Sequence, residues 1–389
     1  MKKLPYSKVD DYNESQASAR RTAIKDQTGV DLKHIGGYSI PPEVVSGNIE
    51  MFTGVAQVPL GFAGPLKVNG EHANGQFYIP MATSEGTLLA SYNRGMKIAS
   101  LAGGVKSTVL DDAMNRGAGF TFHDARAARR FGVWVKSNFQ KIKEISEETT
   151  SVGKLLNIGQ YAVGKLRFIR FNFSTGDAAG QNMVNKAAHR ACQWILQNQP
   201  EEVEAFKFGS QFDSDKKHSL INALTVRGKK VVAECLLPRQ LMKDVLRTTP
   251  EDYNRFKSTS TLEAYMAQAV TNTSHIANGI TALFIATGQD VANVAESSAG
   301  YYHGEINKDG DLYMSVTIPA LIVATYGGGT GLPTQRECLE VMDCYGTGKV
   351  NKLAEIAAAV ALCGEISLGS AILADEFVSS HDHYGRNRD

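Results

Sequence analysis

The chain has 389 residues, of which 43% are hydrophobic and 21% charged, and its formal net charge is +1. These values are typical of a globular protein of two or three domains and argue against a dedicated nucleic-acid-binding protein. The cysteines are Cys192, Cys235, Cys338, Cys344 and Cys363. They include no C-x-x-C pair, which favours free thiols in a reducing compartment over a disulfide framework or a zinc site.

The first part of the chain predicts a small arm followed by extended backbone. Residues 1 to 35 are polar and of mixed charge, which favours a short helical arm. Their start lacks the apolar core of a signal peptide, and the chain has no run of about 18 apolar residues, so we expect a soluble cytoplasmic protein. The Gly- and Pro-rich segment from Ile40 to Pro80 predicts extended backbone around a turn at Asn69-Gly70.

The segment from Ile79 to Ser100 predicts a helix. Glu85 is expected in its first turn, where the helix dipole favours the ionised carboxyl. Ser91 and Arg94 are three residues apart, so they share a face of this helix and can hold an anion together. Taken alone, Glu85 is better explained as a routine first-turn acid.

The middle of the chain predicts an inserted α+β domain. A strand from Leu166 to Ser174 runs into the glycine turn GDAAGQN and then into a helix. A glycine turn before a helix N-terminus is an anion site by geometry, although neither G-x-G-x-x-G nor the P-loop pattern is present. The following loop contains Asp213, Asp215, Lys216 and Lys217, for which a solvated charged turn is the simpler explanation.

The segment from Thr273 to Ser298 predicts a long central helix. It lacks proline and would extend about 38 Å. Its polar side includes Asn278 and Asp290, whereas most of its surface is apolar, so we expect it to be buried nearly all round. A buried carboxylate is costly unless it is paired. The segment is therefore either a core helix with satisfied polar groups or the wall of an active site.

The last part of the chain predicts strands, a glycine loop and a helix. Two strand candidates, Leu312 to Ile318 and Leu321 to Thr325, lead into YGGGTGLP. The glycines of that loop allow the backbone to pass close to a ligand. An alanine-rich helical stretch from Asn351 to Phe377, broken near Gly364, precedes the C-terminal tail.

Five motifs in this order resemble the 3-hydroxy-3-methylglutaryl-coenzyme A (HMG-CoA) reductase family. They are PMATSEGTLLASYNRG, SDKKHSLIN, HIANGITALFIATGQD, TIPALIVATYGGGT and the terminal FVSSH. The resemblance covers residues 40 to 385. The 74 positions from Lys216 to Asp290 are similar to the spacing in the class I form, and the absence of a membrane anchor is similar to the soluble prokaryotic form.

The resemblance implies an α/β (α+β) fold in which a large domain surrounds a long central helix and carries an inserted ferredoxin-like dinucleotide-binding domain. The implied division is an N-terminal helical arm at 1–35, a discontinuous substrate- and CoA-binding catalytic domain at 36–106 and 208–377, the small NAD(P)-binding domain at 107–207, and a flexible tail at 378–389. It also implies a homodimer or homotetramer whose active site is completed at a dimer interface.

The resemblance further implies the four-electron reduction of HMG-CoA to mevalonate and free CoA, a step in isoprenoid precursor synthesis. The implied cofactor is NADPH, with NADH as the alternative, and no metal is implied. Lys216 matches the residue that stabilises the thioester oxyanion, and Asp290 matches the carboxylate that holds its charge. Glu85 matches the proton donor of the aldehyde step, and His381 matches the proton donor to the departing thiolate.

Further positions match binding residues of the family. The dinucleotide-binding positions are Asp177, Gly180, Gln181, Asn182, Gly327, Gly328, Gly329 and Thr330. The substrate- and CoA-binding positions are Ser91, Asn93, Arg94, Lys217, Arg247 and Asn278. Among these, Arg247 stands where a lysine is usual, and Asn278 matches a residue that hydrogen-bonds within the catalytic network.

Departures from the family pattern concern recognition of the acyl group. Met51 replaces an asparagine, Thr108 replaces an arginine that holds the substrate's acid end, and residues 258–274 replace a Gly-rich approach to the central helix. Lys106 and Lys257 are candidate replacements for the arginine. A second hypothesis is therefore a family member that reduces another acyl thioester, bound to CoA or to a carrier protein. A third is a non-catalytic acyl-CoA-binding homologue, against which the complete catalytic set argues.

Overall fold

The structure, a computed structural model, describes residues 3–7 and 9–375. The helices are α1 (Glu14–Thr28), α2 (Leu88–Leu101), α3 (Ala125–Ser137), α4 (Phe139–Glu147), α5 (Gln181–Asn198), α6 (Leu220–Leu224), α7 (Arg239–Leu241), α8 (Pro250–Met266), α9 (Ile276–Thr287), α10 (Val294–Ser297), α11 (Pro333–Val341) and α12 (Val350–Leu373). The strands are β1 (Leu60–Asn69), β2 (Asn74–Ala82), β3 (Lys106–Thr121), β4 (Lys154–Val163), β5 (Leu166–Ser174), β6 (Ala205–Phe208), β7 (Gly228–Leu237), β8 (Tyr301–Ile306) and β9 (Leu312–Leu321). Single helical turns lie at Pro42–Val45, Gln211–Asp213, Met242–Leu246, Val291–Asn293 and Gly328–Gly331.

The strands form a hairpin and one large antiparallel sheet. β1 and β2 make the hairpin, and the large sheet has the order β4-β5-β3-β7-β9-β8, with β6 also paired to β3. The first half of β3, up to Ala113, pairs with β7, and the second half, from Met114, pairs with β5. One continuous strand therefore belongs to both halves of the sheet.

Two large hydrophobic clusters lie on the two halves of the sheet. The larger cluster packs α2, α9 and α12 against the hairpin, β7 and β9. The second packs α3, α4 and α5 against β3 and β5. In chain order, the elements around the second cluster are strand, helices, strand, strand, helix and strand, which is the element order of a ferredoxin-like motif. The α/β prediction is confirmed, and the domain boundaries stay a prediction.

The longest helix, α12, runs without a break through Gly364, so the predicted interruption there is wrong. A Cβ on Gly364 would lie 2.6 Å from the hydroxyl of Tyr92, and a Cβ on Gly95 would lie 1.9 Å from the carbonyl oxygen of Cys363. Glycine thus permits α2 and α12 to cross closely rather than ending the helix. By length and apolarity α12 could cross a membrane, but 83% of its most apolar window is buried inside the protein, as in a core helix.

The predicted central helix is shorter than its apolar pattern suggests. α9 ends at Thr287, because Gly288 adopts a left-handed conformation (φ 68°) and closes the helix with a bond to the carbonyl of Phe284. Asp290 then begins a separate turn, and its side chain is 42% exposed. The predictions of one helix to Ser298 and of a buried Asp290 are therefore wrong for this chain.

Two smaller predictions are also corrected. Glu85 precedes the helix rather than lying in its first turn, because Thr87 adopts a left-handed conformation and α2 begins only at Leu88. Residues 322–325, most of the second strand candidate, are not in a strand. The first candidate continues to Leu321 and forms β9. Its pairing with β7 continues past Pro319 across an irregularity in the register, the kind of position at which a sheet tolerates proline.

Candidate active site

Lys216 and Asp290 form an ion pair. The Lys216 ammonium lies 2.9 Å from Oδ2 of Asp290, and the two side chains are 43% and 42% exposed. The other carboxylate oxygen of Asp290 accepts a hydrogen bond from the amide of Ala292 at 3.1 Å. Asp290 therefore caps the turn that follows α9 and presents one oxygen to the lysine, so both the side chain and its charge have a defined place.

Glu85 contacts Asn278 on the first turns of α9. The side-chain amide of Asn278 donates to both carboxylate oxygens of Glu85, each at 3.0 Å. The hydroxyl of Thr83 accepts a hydrogen bond from the Glu85 amide at 3.0 Å and fixes the backbone there. These residues line a cavity of about 460 Å³ between the hairpin and α9. Within residues 9–375, no hydrogen bond or ion pair links this pair to Lys216 and Asp290.

Asp177, predicted to contact the dinucleotide, caps α12. Its carboxylate accepts hydrogen bonds from the amides of Gly348, Lys349 and Val350 at 2.8 to 3.2 Å. A carboxylate at this position is stabilised by the helix dipole. The structure therefore places Asp177 in a capping role, and its carbonyl accepts a hydrogen bond from the amide of Thr325 at 3.0 Å.

The turn at Gly180 begins α5 and leaves its end open. Gly180 is left-handed (φ 76°), and no side chain among the described residues caps the helix, so its first amides lack a side-chain acceptor. The side chain of Gln181 donates to Asp215 at 3.3 Å and to Asn293 at 3.0 Å, while Asn182 is exposed. The α5 turn is thereby joined to the loop that carries Lys216.

The second glycine loop lies beside the end of α9. Gly327 and Gly328 have φ values of 81° and 57°, and nothing lies within 4 Å of a Cβ placed on either. Thr330 is buried and closes the loop by donating to the Gly327 carbonyl at 2.7 Å. Gly329 packs on Gly288, because a Cβ on Gly329 would lie only 2.6 Å from the carbonyl oxygen of Gly288. Through the Thr325 hydrogen bond described above, this loop also lies next to the Asp177 turn.

The predicted CoA-side residues of α2 are engaged with neighbouring elements. Ser91 lies 3.2 Å from the imidazole Nε2 of His275 and donates to the Ser367 hydroxyl at 3.1 Å. Arg94 donates to both the hydroxyl and the carbonyl of Ser367 at 3.2 and 2.6 Å. The side-chain oxygen of Asn93 accepts from the amide of Gly64 at 2.7 Å. Burial lowers the pKa of His275, which favours its neutral form.

Three further candidates complete the predicted set. Lys217 donates to the carbonyl of Asp215 at 3.0 Å. Arg247 is left-handed (φ 52°) at the end of a helical turn and lines a separate cavity of about 590 Å³ with Lys243 and Arg255. His381 lies outside the described residues.

Sequence reasoning missed two buried ion pairs. Lys257 and Glu365 pair at 2.6 Å with both side chains buried, and Glu365 also accepts from the amide of His275. Arg227 and Glu296 pair at 3.2 Å, both 0% exposed. A charged residue inside an apolar periodic segment, as at positions 296 and 365, was the available signal. Lys257 is thus committed to Glu365 and is not free to replace the missing arginine.

Comparison with known proteins adds the family. A model of the hydroxymethylglutaryl-coenzyme A reductase family matches residues 16–386. The 3-hydroxy-3-methylglutaryl-coenzyme A reductase of Pyrococcus abyssi is 42% identical over 377 residues, which cover 94% of this chain and 92% of that protein. The enzyme of the same name from Methanocaldococcus jannaschii is 42% identical over 379 residues, with the same two coverages.

A solved structure has the same fold. The class II reductase of Streptococcus pneumoniae, determined with NADPH in open conformations, superposes with a TM-score of 0.71 at 18% identity and covers 92% of this chain and 97% of its own. At this identity the likeness concerns the fold alone. The assignment to class I, made from the Lys216 to Asp290 spacing, stays a prediction.

The family model and these relatives place the chain among the oxidoreductases, and its α/β fold agrees with the solved reductase structure. Within that class, the chain belongs to the hydroxymethylglutaryl-coenzyme A reductase family.

Proposed function

We propose that this protein reduces 3-hydroxy-3-methylglutaryl-CoA to mevalonate and free CoA with two equivalents of NADPH. The observation that carries the proposal is the Lys216–Asp290 ion pair at 2.9 Å, joined through Asp215 and Gln181 to the open N-terminus of α5. In the balanced reaction, one thioester, two NADPH and two protons give one primary alcohol, one thiol and two NADP⁺. Each hydride addition places negative charge on a carbonyl oxygen, which a nearby ammonium stabilises.

In this proposal each catalytic side chain has one task. Lys216 stabilises the oxyanion and Asp290 keeps the ammonium in place, as their contact supports. Glu85 supplies a proton to the aldehyde oxygen, and Asn278 orients it by contacting both carboxylate oxygens. His381 protonates the departing thiolate. The outcome of these steps is a primary alcohol and free CoA.

The residues present fit a reduced nicotinamide dinucleotide, which supplies hydride when bound. The uncapped amides at the start of α5 suit a phosphate. The open space beside Gly327 and Gly328 allows a ligand to approach the backbone closely. In this arrangement Asp177 supports the site by holding the start of α12. NADH is the alternative hydride donor.

The basic residues on the other side suit coenzyme A. Arg94 and Arg247 offer guanidinium groups that recognise phosphate, and Ser91 lies beside Arg94 on α2. Lys106 is exposed at the start of β3, two residues before Thr108, and is our candidate for the group that holds the substrate's terminal carboxylate. Lys257 is excluded from that task by its pairing with Glu365.

We also propose that the active enzyme is a homodimer, or a tetramer built from dimers, in the cytoplasm. Glu85 is exposed and Asn278 is only half-buried in a single chain, whereas the chemistry needs a site that excludes water. Apolar side chains of the adjoining hairpin, Leu60, Phe62 and Tyr78, are also exposed and suit contact with a second copy. Sedimentation that found a fully active monomer would reject the dimer, and fractionation of cells tests the compartment.

The function is tested by mixing purified protein with HMG-CoA and NADPH and following loss of the reduced nicotinamide together with mevalonate formation. We expect two NADPH oxidised for each mevalonate formed. A Lys106→Ala variant should raise KM for HMG-CoA, because a bond to the carboxylate is lost. No oxidation with HMG-CoA, but oxidation with another acyl thioester, would replace this proposal by the second hypothesis.

A further inference from the structure

The backbone of Lys216 is held in an unusual conformation. Its φ is +54°, and Ser214 two residues earlier has a φ of +50°. Neither residue is glycine, and a non-glycine residue keeps a left-handed conformation only where its surroundings hold it there. The position of the Lys216 ammonium therefore depends on whatever fixes this loop.

The buried side chain of Glu296 contacts the loop that carries Lys216. The amide of Lys216 donates to Oε1 of Glu296 at 3.1 Å. The same oxygen accepts from Nε of Arg227 at 3.2 Å, and neither side chain has any exposed surface. This hydrogen bond is the main-chain contact that holds Lys216 itself.

Arg227 joins Glu296 to the rest of the loop. One of its terminal nitrogens pairs with the carboxylate of Asp215, the residue before Lys216. The other donates to the side-chain and main-chain oxygens of Asn115 on β3, at 2.9 and 3.2 Å. Arg227 thus connects the loop, the sheet and Glu296 through one planar group.

Glu296 and Asp290 belong to one short segment, on either side of the turn Val291–Asn293. Asp290 binds the side chain of Lys216, and Glu296 binds its main chain. The side chain and the main chain of Lys216 are therefore each held by one of two residues that lie six positions apart. Any movement of this segment moves both contacts together.

The burial of Glu296 is costly for the fold. Its second oxygen, Oε2, has no hydrogen-bond partner within the described ranges 3–7 and 9–375, and burial raises the pKa of this carboxyl. An apolar side chain would be cheaper to bury, since an incompletely satisfied carboxylate destabilises a core. A costly buried group that contacts a catalytic residue indicates a functional role.

We propose that Glu296, fixed by Arg227, is a positioning residue that sets the conformation of Lys216 and thereby the place of its ammonium. The inference rests on the proposed function, because it gives Lys216 the role of oxyanion stabiliser. Glu296 itself touches neither the substrate nor the cofactor.

The kinetic test compares Glu296→Ala with Glu296→Gln. We expect Glu296→Ala to lower kcat about 10- to 100-fold, because a small displacement of a catalytic group has effects of that size, while KM for the thioester changes less than about 3-fold. Glu296→Gln keeps an oxygen that accepts from Lys216 and should stay within about 5-fold of the wild-type kcat. Equal losses in both variants, or a loss confined to KM, would overturn the proposal.

A matched control separates positioning from general stability. Glu355 is also fully buried and accepts main-chain amides, those of Glu71, His72 and Ala73, but it does not contact the Lys216 loop. Glu355→Ala should lower stability and leave kcat of the folded enzyme within about 2-fold. In a Lys216→Ala background, Glu296→Ala should no longer affect the residual rate, since the two changes remove the same interaction. Independent losses would indicate a structural role only.

A crystal structure of Glu296→Ala tests the inference without any activity. We expect Lys216 to leave the left-handed region and its ion pair with Asp290 to open, and retention of both would refute the proposal whatever the rate. If Glu296→Ala does not fold, Glu296→Asp keeps a charge for Arg227 but is one methylene shorter, and the same opening is expected. If the wild-type protein lacks reductase activity, the proposed function fails, while the structural result still decides whether Glu296 positions Lys216.

Discussion

Lys216 and Asp290 form a half-exposed ion pair, and such a pair contributes about 0 to 1 kcal/mol to stability. The fold therefore does not depend on it. The contact instead fixes a positive charge beside the two glycine turns. At this scale, function and stability can be separated by single substitutions.

The first prediction concerns Lys216→Ala. We expect kcat to fall at least about 100-fold, because the proposed oxyanion stabiliser is removed, with a change in unfolding free energy below about 1 kcal/mol. The measurements are steady-state kinetics and denaturant unfolding. Lys308→Ala, in the exposed turn between β8 and β9, is the control and should behave as the wild type. Near-normal turnover of Lys216→Ala would reject the catalytic assignment.

The second prediction concerns the contact between Asn278 and Glu85. Asn278→Ala removes a donor to both carboxylate oxygens, and we expect kcat to fall about 10-fold, the lower end for a hydrogen bond to a charged group. In a Glu85→Gln background the same substitution should have no further effect. Additive losses in the double variant would show that Asn278 acts elsewhere.

The sequence motifs predicted which side chains contact each other better than they predicted which side chains are buried. The pairing of Lys216 with Asp290 follows from their family roles, and the structure contains it. The exposure of Asp290 could not be predicted, because it depends on where α9 ends. Asp177 shows the same limit, since its carboxylate caps α12, which begins more than 170 positions later in the sequence. A local motif carries no information about such a distant partner.

Among the elements, α9 shows how one glycine changes a helix. Its apolar period continues through residue 294, so periodicity alone predicts a longer helix. Gly288 ends it because its left-handed backbone redirects the chain, and periodicity does not report φ. The strand β5 and the helix α5, by contrast, lie where the sequence predicts them, because their patterns end at clear glycine turns.

The third prediction uses two glycines with similar backbone angles. Gly288 (φ 68°) and Gly29 (φ 76°) both end helices, but a Cβ on Gly288 would lie 2.2 Å from the carbonyl oxygen of Gly329, whereas one on Gly29 meets nothing within 4 Å. Gly29→Ala should cost about 1 to 2 kcal/mol, the cost of the left-handed backbone. Gly288→Ala should cost more and also weaken NADPH binding, because it displaces the Gly327–Thr330 loop.

Calorimetry and cofactor titration of both variants test this prediction. Equal destabilisation of Gly29→Ala and Gly288→Ala, with unchanged affinity for NADPH, would mean that the close packing on Gly329 has no influence on the loop.

At the scale of the whole molecule, every cysteine is free and buried. Burial raises the pKa of Cys235 and Cys344 to about 12 and that of Cys338 to about 11. The ordinary pKa of a cysteine thiol is 9.0. Because the pKa of these thiols is higher in the folded protein, their contribution to stability is fully present below pH 9. This contribution is lost as the pH rises from about 9 toward 12.

The fourth prediction follows from these thiols. At pH 8 a thiol with a pKa of about 12 is ionised in roughly one molecule in ten thousand, and only the thiolate reacts. The folded protein should therefore react slowly with a disulfide reagent. The protein unfolded in guanidinium should react with five equivalents of the reagent, one per cysteine. Cys338 lines a cavity of about 570 Å³ and should react first, so Cys338→Ser should remove the earliest phase. Rapid reaction of several thiols in the folded state would contradict the burial.

The sharing of β3 between the two halves of the sheet limits how this molecule can be taken apart. A graft that exchanged residues 107–207 for another unit would have to supply a strand whose beginning fits β7 and whose end fits β5. Because β3 is continuous, a tilt of the half of the sheet that contains β5 would also move the half that contains β7. A linker in place of this strand would absorb such a tilt. The two halves of the sheet therefore share one continuous strand, and the part that carries α5 is not an interchangeable module.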